Sequence, residues 1–218
     1  MDIKTFLNNY KILKKEYKNW NAPIVTFIAV STGSPFKILI STILSLRTKD
    51  QVTAKASIKL FKIVNSPEEL LKLSVKKLSK LIYPVAFYNN KSKQILEICK
   101  ILIEKYNSKV PDTLEQLLEF KGVGRKTANL VLSQGYGKKT ICVDTHVHRI
   151  SNRLGIVYTK TPYETELSLM NFLPKNKWIE INDLLVAFGQ TICRPIGPKC
   201  NICKVQDCPS RKKEYEKI

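Results

Sequence analysis

Acidic residues are scarce in this chain: 18 Asp and Glu stand against 37 Lys and Arg, a formal charge of +19 over 218 residues. That imbalance points to a polyanionic partner, with nucleic acid the leading candidate. Long apolar runs are missing too. None approaches the ~18 residues of a membrane span, and the start, Met1 to Phe6, has no apolar signal-peptide region. No internal repeat, low-complexity tract or long linker occurs. These absences exclude a membrane-spanning chain and a repeat array. They leave one compact domain or two closely packed lobes, with a real core given 44% hydrophobic content. A soluble, cytoplasmic protein with no membrane partner is expected.

Arginine is rare, and its placement is uneven. Only Arg47, Arg125, Arg149, Arg153, Arg194 and Arg211 occur. A general lysine richness could supply much of the charge, so these six are more telling. Arg125, Arg149 and Arg153 flank a glycine motif at 122–124, and Arg194 and Arg211 flank a group of cysteines. Such placement suggests forked contacts to phosphate. Of six cysteines, Cys99 and Cys142 are isolated and read as core thiols. The other four, Cys193, Cys200, Cys203 and Cys208, are separated by six, two and four residues. So tight a group in an intracellular chain suggests metal binding over disulfides. Four sulfur ligands suit either tetrahedral zinc or a [4Fe–4S] cluster.

The pattern that remains is helical. Residues 5–18 place Phe6, Tyr10, Leu13 and Tyr17 on one face, and 35–46 is apolar enough for a buried helix. Ser34-Pro35, Ser66-Pro67 and Thr161-Pro162 mark helix starts, and Ser66 to Glu69 has capping-box spacing. Asp112-Thr113 offers a further start. Residues 140–147 alone have strand-like composition, and we read them as an extended lead-in to a helix.

The most informative stretch is Gly122-Val123-Gly124-Arg125-Lys126, a tight turn between a helix over 114–120 and one resuming at Lys126. Glycines there let an anion approach the backbone, and the N–H groups of the second helix can bind it. Between Lys121 and Arg153 there are seven basic residues and one acid, Asp144. Asp144 is also placed to cap a helix from Thr145. His146 and His148 have ligand-like spacing but read better as hydrogen-bonded or solvent-facing side chains.

With Val143-Asp144-Thr145-His146 following, Gly122 to Ala128 resembles the helix–hairpin–helix DNA glycosylases. The resemblance runs from about Ser34 to Cys208 and includes Pro35-Phe36, Ser45 to Asp50 and Phe87 to Lys91. It implies an all-α, two-lobed fold with a DNA cleft between the lobes. A helical barrel lobe would span 28–138, with the helix–hairpin–helix at about 114–132. A second lobe would combine 1–27 with 139–218 and hold a [4Fe–4S] cluster in the loop 193–208. The last cysteine gap is four residues, where the family usually has five.

The implied function is base excision repair by a bifunctional glycosylase and abasic-site lyase. It would act as a monomer on double-stranded DNA containing oxidised pyrimidines or abasic sites. Lys126 would be the nucleophile and Asp144 its catalytic partner. An ordinary lysine is neutral in about one molecule in 2,500 at pH 7, and lowering its pKa to ~8 requires about 3 kcal/mol. A helix N-terminus supplies only ~0.3–1 kcal/mol, so burial or a nearby cation such as Arg125 would have to supply the rest. A salt bridge to Asp144 would oppose this, so Asp144 is assigned to stabilising positive charge on the sugar.

Gly122, Val123, Gly124 and Arg125 would grip the backbone, with Arg194 and Lys199 from the proline-stiffened cysteine loop. Reaching a sugar carbon in a duplex requires extruding the nucleotide. Arg47 and Phe87 stand where the family commonly has glutamine and leucine to fill the gap and prop the orphaned base. Lys121 stands where proline is frequent. Two rivals are a monofunctional mismatch glycosylase, which would lack a lysine at 126, and a non-catalytic DNA-binding module with a zinc site.

Overall fold

Residues 1–20 and 23–211 are described by the computed structural model. Among them the chain forms twelve α-helices and two short 3-10 turns, with no strand. None of these helices is long and apolar enough to cross a membrane. α1 spans Ile3–Tyr17 and starts at an Asp2 cap, whose side chain accepts from Thr5 N. The chain then divides into two units, one of Ile24–Lys138 and one of Met1–Pro23 with Lys139–Ile218. The expected boundary at 27/28 falls inside α2 (Ile24–Thr32). This helix buries Ile24, Val25 and Ile28 and packs against the next helix, so all of it belongs to the Ile24–Lys138 unit.

The unit from Ile24 to Lys138 is built on α3 (Pro35–Ser45). Ser34 caps it, accepting from Lys37 N at 3.3 Å, and Pro35 occupies the first turn. The missing N–H of a proline costs nothing there. Eight of its eleven residues are buried, from Phe36 to Leu44, as an all-round apolar helix requires. Around it lie α2, α4 (Asp50–Phe61), α7 (Tyr88–Tyr106) and α9 (Arg125–Tyr136). Gly135 lets α9 approach closely, since a Cβ there would stand 3.3 Å from Pro35 Cα. α5 (Pro67–Leu71) and α6 (Val75–Ile82) pack on α7. At α5, Ser66 Oγ accepts from Glu69 N, while the Glu69 carboxylate accepts from Asn65 N at 2.6 Å. The expected capping box therefore closes one residue early. Cys99 is fully buried, and burial pushes its thiol up to about 12, as befits an inert core residue.

In the other unit, α1 packs on α12 (Trp178–Thr191), and α12 packs on α10 (Thr145–Arg153), which meets α11 (Pro162–Phe172). Thr161 caps α11 ahead of Pro162. Phe6, Leu13, Val147, Ile150, Leu185 and Phe188 share one core. Asn9, buried on α1, donates to Gln206 O and accepts from Gln206 N, both at 2.8 Å. That pair ties the end of the cysteine segment to α1. Leaving such a buried amide unsatisfied would cost about 1–3 kcal/mol.

Candidate active site

The glycine turn joins α8 (Leu114–Leu118) to α9. Thr113 caps α8, and the chain then turns back with Val123 N donating to Phe120 O at 2.9 Å. Phe120 and Val123 are 1% and 5% exposed. Val123 is therefore an anchor, and only its backbone is placed to meet a partner. The two glycines differ. Gly122 has φ +77°, and a Cβ on it would meet Gln94 Nε2 at 2.5 Å. Gln94, on α7, donates to Lys121 O at 2.9 Å and holds the turn from below. Gly124 has φ −92°, a value open to any residue, and the space where its Cβ would lie is empty. Its glycine is thus not required by the protein's own backbone or packing.

Gly124 caps α9, leaving the first-turn N–H groups without a side-chain partner from the cap residue. No acid lies in that turn. Arg125 and Lys126 are the first two residues of α9, and Lys126 is exposed.

Arg47 lies between α3 and α4, and Phe87 immediately precedes α7. Both are exposed, Phe87 at 58%. Both adopt left-handed backbone conformations. For non-glycine residues that costs on the order of 1–3 kcal/mol and persists only when the surroundings impose it.

In the unit containing α10, Ile141, Cys142 and Val143 form a buried lead-in without helix or strand. Asn182 Nδ2 donates to Cys142 O at 2.9 Å, so a side chain takes the place a neighbouring strand would fill. Asp144 follows as the N-cap of α10, its Oδ1 accepting from His146 N and Val147 N at 2.8 Å each. The half-buried carboxylate is fixed by two backbone donors. His148 Nδ1 lies 2.7 Å from Thr165 Oγ1, and His146 Nδ1 lies 3.2 Å from Arg149 Nη2, so both rings are held by hydrogen bonds.

Three arginines expected at phosphate instead serve the cysteine loop. Arg149 Nη2 donates to Cys193 O at 3.0 Å. Arg153 forks onto Arg194 O and Pro195 O at 2.7 and 3.0 Å. Arg211 Nη2 donates to Cys203 O and Val205 O. A planar fork matches paired carbonyls as well as it matches phosphate. Arg194 and Lys199 point their charge elsewhere: both are exposed, on a loop whose carbonyls Arg153 already holds.

The four cysteines are half-buried. Cys193, Cys203 and Cys208 pack against one hydrophobic core, and Arg153 Nη1 donates to Cys193 Sγ at 3.6 Å. Burial pushes the Cys193 thiol up, while Arg153 and Arg149 pull it down. Among the described residues, no three His, Cys, Asp or Glu side chains stand close enough to hold a metal ion. The donor set nonetheless fits an anionic sulfur-ligated group. Arg149 Nε and Arg211 Nε are buried beside this loop without a hydrogen-bond partner, and buried cationic donors call for an acceptor.

Comparison with known proteins agrees with this arrangement. Residues 40–175 match the family described as HhH-GPD superfamily base excision DNA repair protein. The chain is 53% identical to endonuclease III of Thermotoga maritima over 169 residues, 78% of this chain and 79% of that protein. It is 44% identical to endonuclease III homolog 2, chloroplastic, of Arabidopsis thaliana, covering 93% of this chain and 57% of the plant protein. A solved non-covalent endonuclease III–DNA complex superposes with a TM-score of 0.89 over 99% of both chains at 30% identity. The chain belongs to the HhH-GPD superfamily of base excision DNA repair proteins.

Proposed function

We propose that the protein is a bifunctional DNA glycosylase and abasic-site lyase that removes oxidised pyrimidines from double-stranded DNA. The observation that carries this reading is the exposed Lys126, second residue of α9, directly behind a glycine turn with an open backbone. The N–H groups opened by Gly124 take a phosphate and set the strand's register. Lys126 Nζ then attacks the sugar anomeric carbon and displaces the damaged base; as the amine gives up its protons, the bond from that carbon to the ring oxygen opens and a Schiff base forms. Loss of a proton from the neighbouring sugar carbon expels the 3′ phosphate.

Asp144 stabilises the positive charge that develops on the sugar as the base leaves. Its two backbone bonds hold the carboxylate in place before substrate arrives. Arg47 and Phe87 fill the space vacated by the extruded nucleotide, and Arg194 and Lys199 contact the DNA backbone. Cys193, Cys200, Cys203 and Cys208 hold a [4Fe–4S] cluster. When bound, it supplies a rigid cross-link for the loop between Cys193 and Cys208, with Arg149, Arg153 and Arg211 orienting the loop's carbonyls.

Borohydride trapping on an abasic-site duplex tests the reaction. Wild type should give a covalent protein–DNA adduct and Lys126→Ala none. A well-folded wild type that gives no adduct overturns the lyase assignment and leaves a binding module.

A further inference from the structure

Lys91 is 5% exposed and lies in the first turn of α7, the positive end of that helix. A cation is disfavoured there twice, by burial and by the dipole. Burial pulls its ammonium down to about 8. Such a lysine could be mistaken for a nucleophile, but all three of its donors are engaged. Nζ donates to Leu44 O at 2.8 Å, to Leu46 O at 2.6 Å and to Thr48 Oγ1 at 3.2 Å. Leu44 lies in the last turn of α3 and Leu46 is its C-cap. The ammonium therefore satisfies carbonyls at the negative end of α3, where a cation is favoured.

These acceptors bracket Arg47, which sits between Leu46 and Thr48 at φ 56°. Thr48 Oγ1 also accepts from Ala86 N at 3.2 Å, and Ala86 precedes Phe87, at φ 57°. The backbone N–H of Lys91 donates to Phe87 O at 2.9 Å. One residue thus ties together both left-handed segments. The Arg47 guanidinium carbon lies 5.8 Å from the Phe87 ring centroid. An apolar side chain could fill the same space, but it could not hold three oxygen acceptors in place.

We propose that Lys91 is a positioning residue for nucleotide extrusion: through Leu44, Leu46 and Thr48 it fixes the two loops that present Arg47 and Phe87 to the duplex. The assignment rests on the insertion role proposed for Arg47 and Phe87. It is tested with four proteins: wild type, Lys91→Met, the pair Arg47→Ala with Phe87→Ala, and the triple variant. Extrusion is read from 2-aminopurine fluorescence in an abasic-analogue duplex, and chemistry from single-turnover borohydride trapping. Lys91→Met should lower extrusion and trapping about tenfold or more. Added to the Arg47/Phe87 pair it should cause little further loss, because residues acting through one element are not additive.

A purely structural lysine would give additive losses, and that result overturns the assignment. If Lys91→Met does not fold, the same cycle is run with Thr48→Val, which removes one acceptor and the Ala86 tie. Wild-type trapping with undiminished extrusion by Lys91→Met or Thr48→Val removes Lys91 from the mechanism but leaves the lyase intact. Wild type without an adduct overturns the lyase itself. A wild-type adduct unaffected by the Arg47/Phe87 pair overturns their insertion role and, with it, this one.

Discussion

Arg47 lays its guanidinium over the ring of Phe87, 5.8 Å from the centroid, with both residues in the left-handed backbone region. Two bulky side chains are thereby held exposed and adjacent on strained backbone. Glycine would adopt that backbone freely, so the residue types present here are not what stability alone would select. Arg47→Gly should melt within about 1 kcal/mol of wild type, because relief of strain offsets the lost cation–π contact. Extrusion of an abasic-site nucleotide should fall in the same variant. A parallel loss of thermal stability and extrusion would argue that Arg47 is structural.

The two glycines of the hairpin should separate cleanly. Gly122→Ala forces a Cβ at φ +77° to within 2.5 Å of Gln94 Nε2. Chemical denaturation should show about 1–3 kcal/mol of destabilisation. Gly124→Ala meets open space and no backbone penalty, so its unfolding should match wild type within about 0.5 kcal/mol. Its DNA affinity should nevertheless drop, because the methyl group occupies the approach to the first-turn N–H groups. Unchanged affinity in Gly124→Ala would move the phosphate site away from α9.

Asp144 combines a cap with a charge, and substitution can divide the two. Asparagine caps helices about as well as aspartate. Asp144→Asn should keep the wild-type melting temperature while base release slows by a factor of about a hundred or more. Asp144→Ala loses both Oδ1 bonds and should also cost about 1 kcal/mol of stability. Equal glycosylase rates for Asp144→Asn and wild type would leave the residue as a cap alone.

The cysteine loop should depend on forked arginine contacts. Arg153 spans Arg194 O and Pro195 O and reaches Cys193 Sγ. A lysine keeps the charge but lacks the planar fork. Arg153→Lys should therefore lose its visible iron–sulfur absorbance faster than wild type when exposed to a chelator. Purified protein that is colourless and carries one zinc would replace the cluster with a zinc site.

Much of this protein was legible in local sequence. Ser34-Pro35, Ser66-Pro67 and Thr161-Pro162 mark helix starts because a cap and its partner lie within a few residues of each other. The Gly122 to Lys126 turn was legible for the same reason, as was the capping position of Asp144. The α1 start at Asp2 was missed, although Thr5 N is only three residues away. Other features needed partners far along the chain. Arg149 and Arg153, expected beside the glycine motif to meet phosphate, instead reach Cys193 across 44 positions and Arg194 across 41. Composition reveals a cation's presence but not which oxygen it faces.

Charge, helical periodicity, the glycine hairpin and the cysteine spacing were thus settled along the chain, because each rests on residue type or on neighbours within a turn or two. Tertiary structure decided the rest: that Gly122 at φ +77° needs glycine while Gly124 does not, that Lys91 is buried, and that its ammonium joins the loops of Arg47 and Phe87. Hydrogen bonds between segments 40 or more residues apart, such as Lys91 with Leu44 and Leu46, leave no periodic trace in sequence. They exist only once α3 and α7 are packed together, because burial removes water as the competing partner and makes each protein acceptor matter.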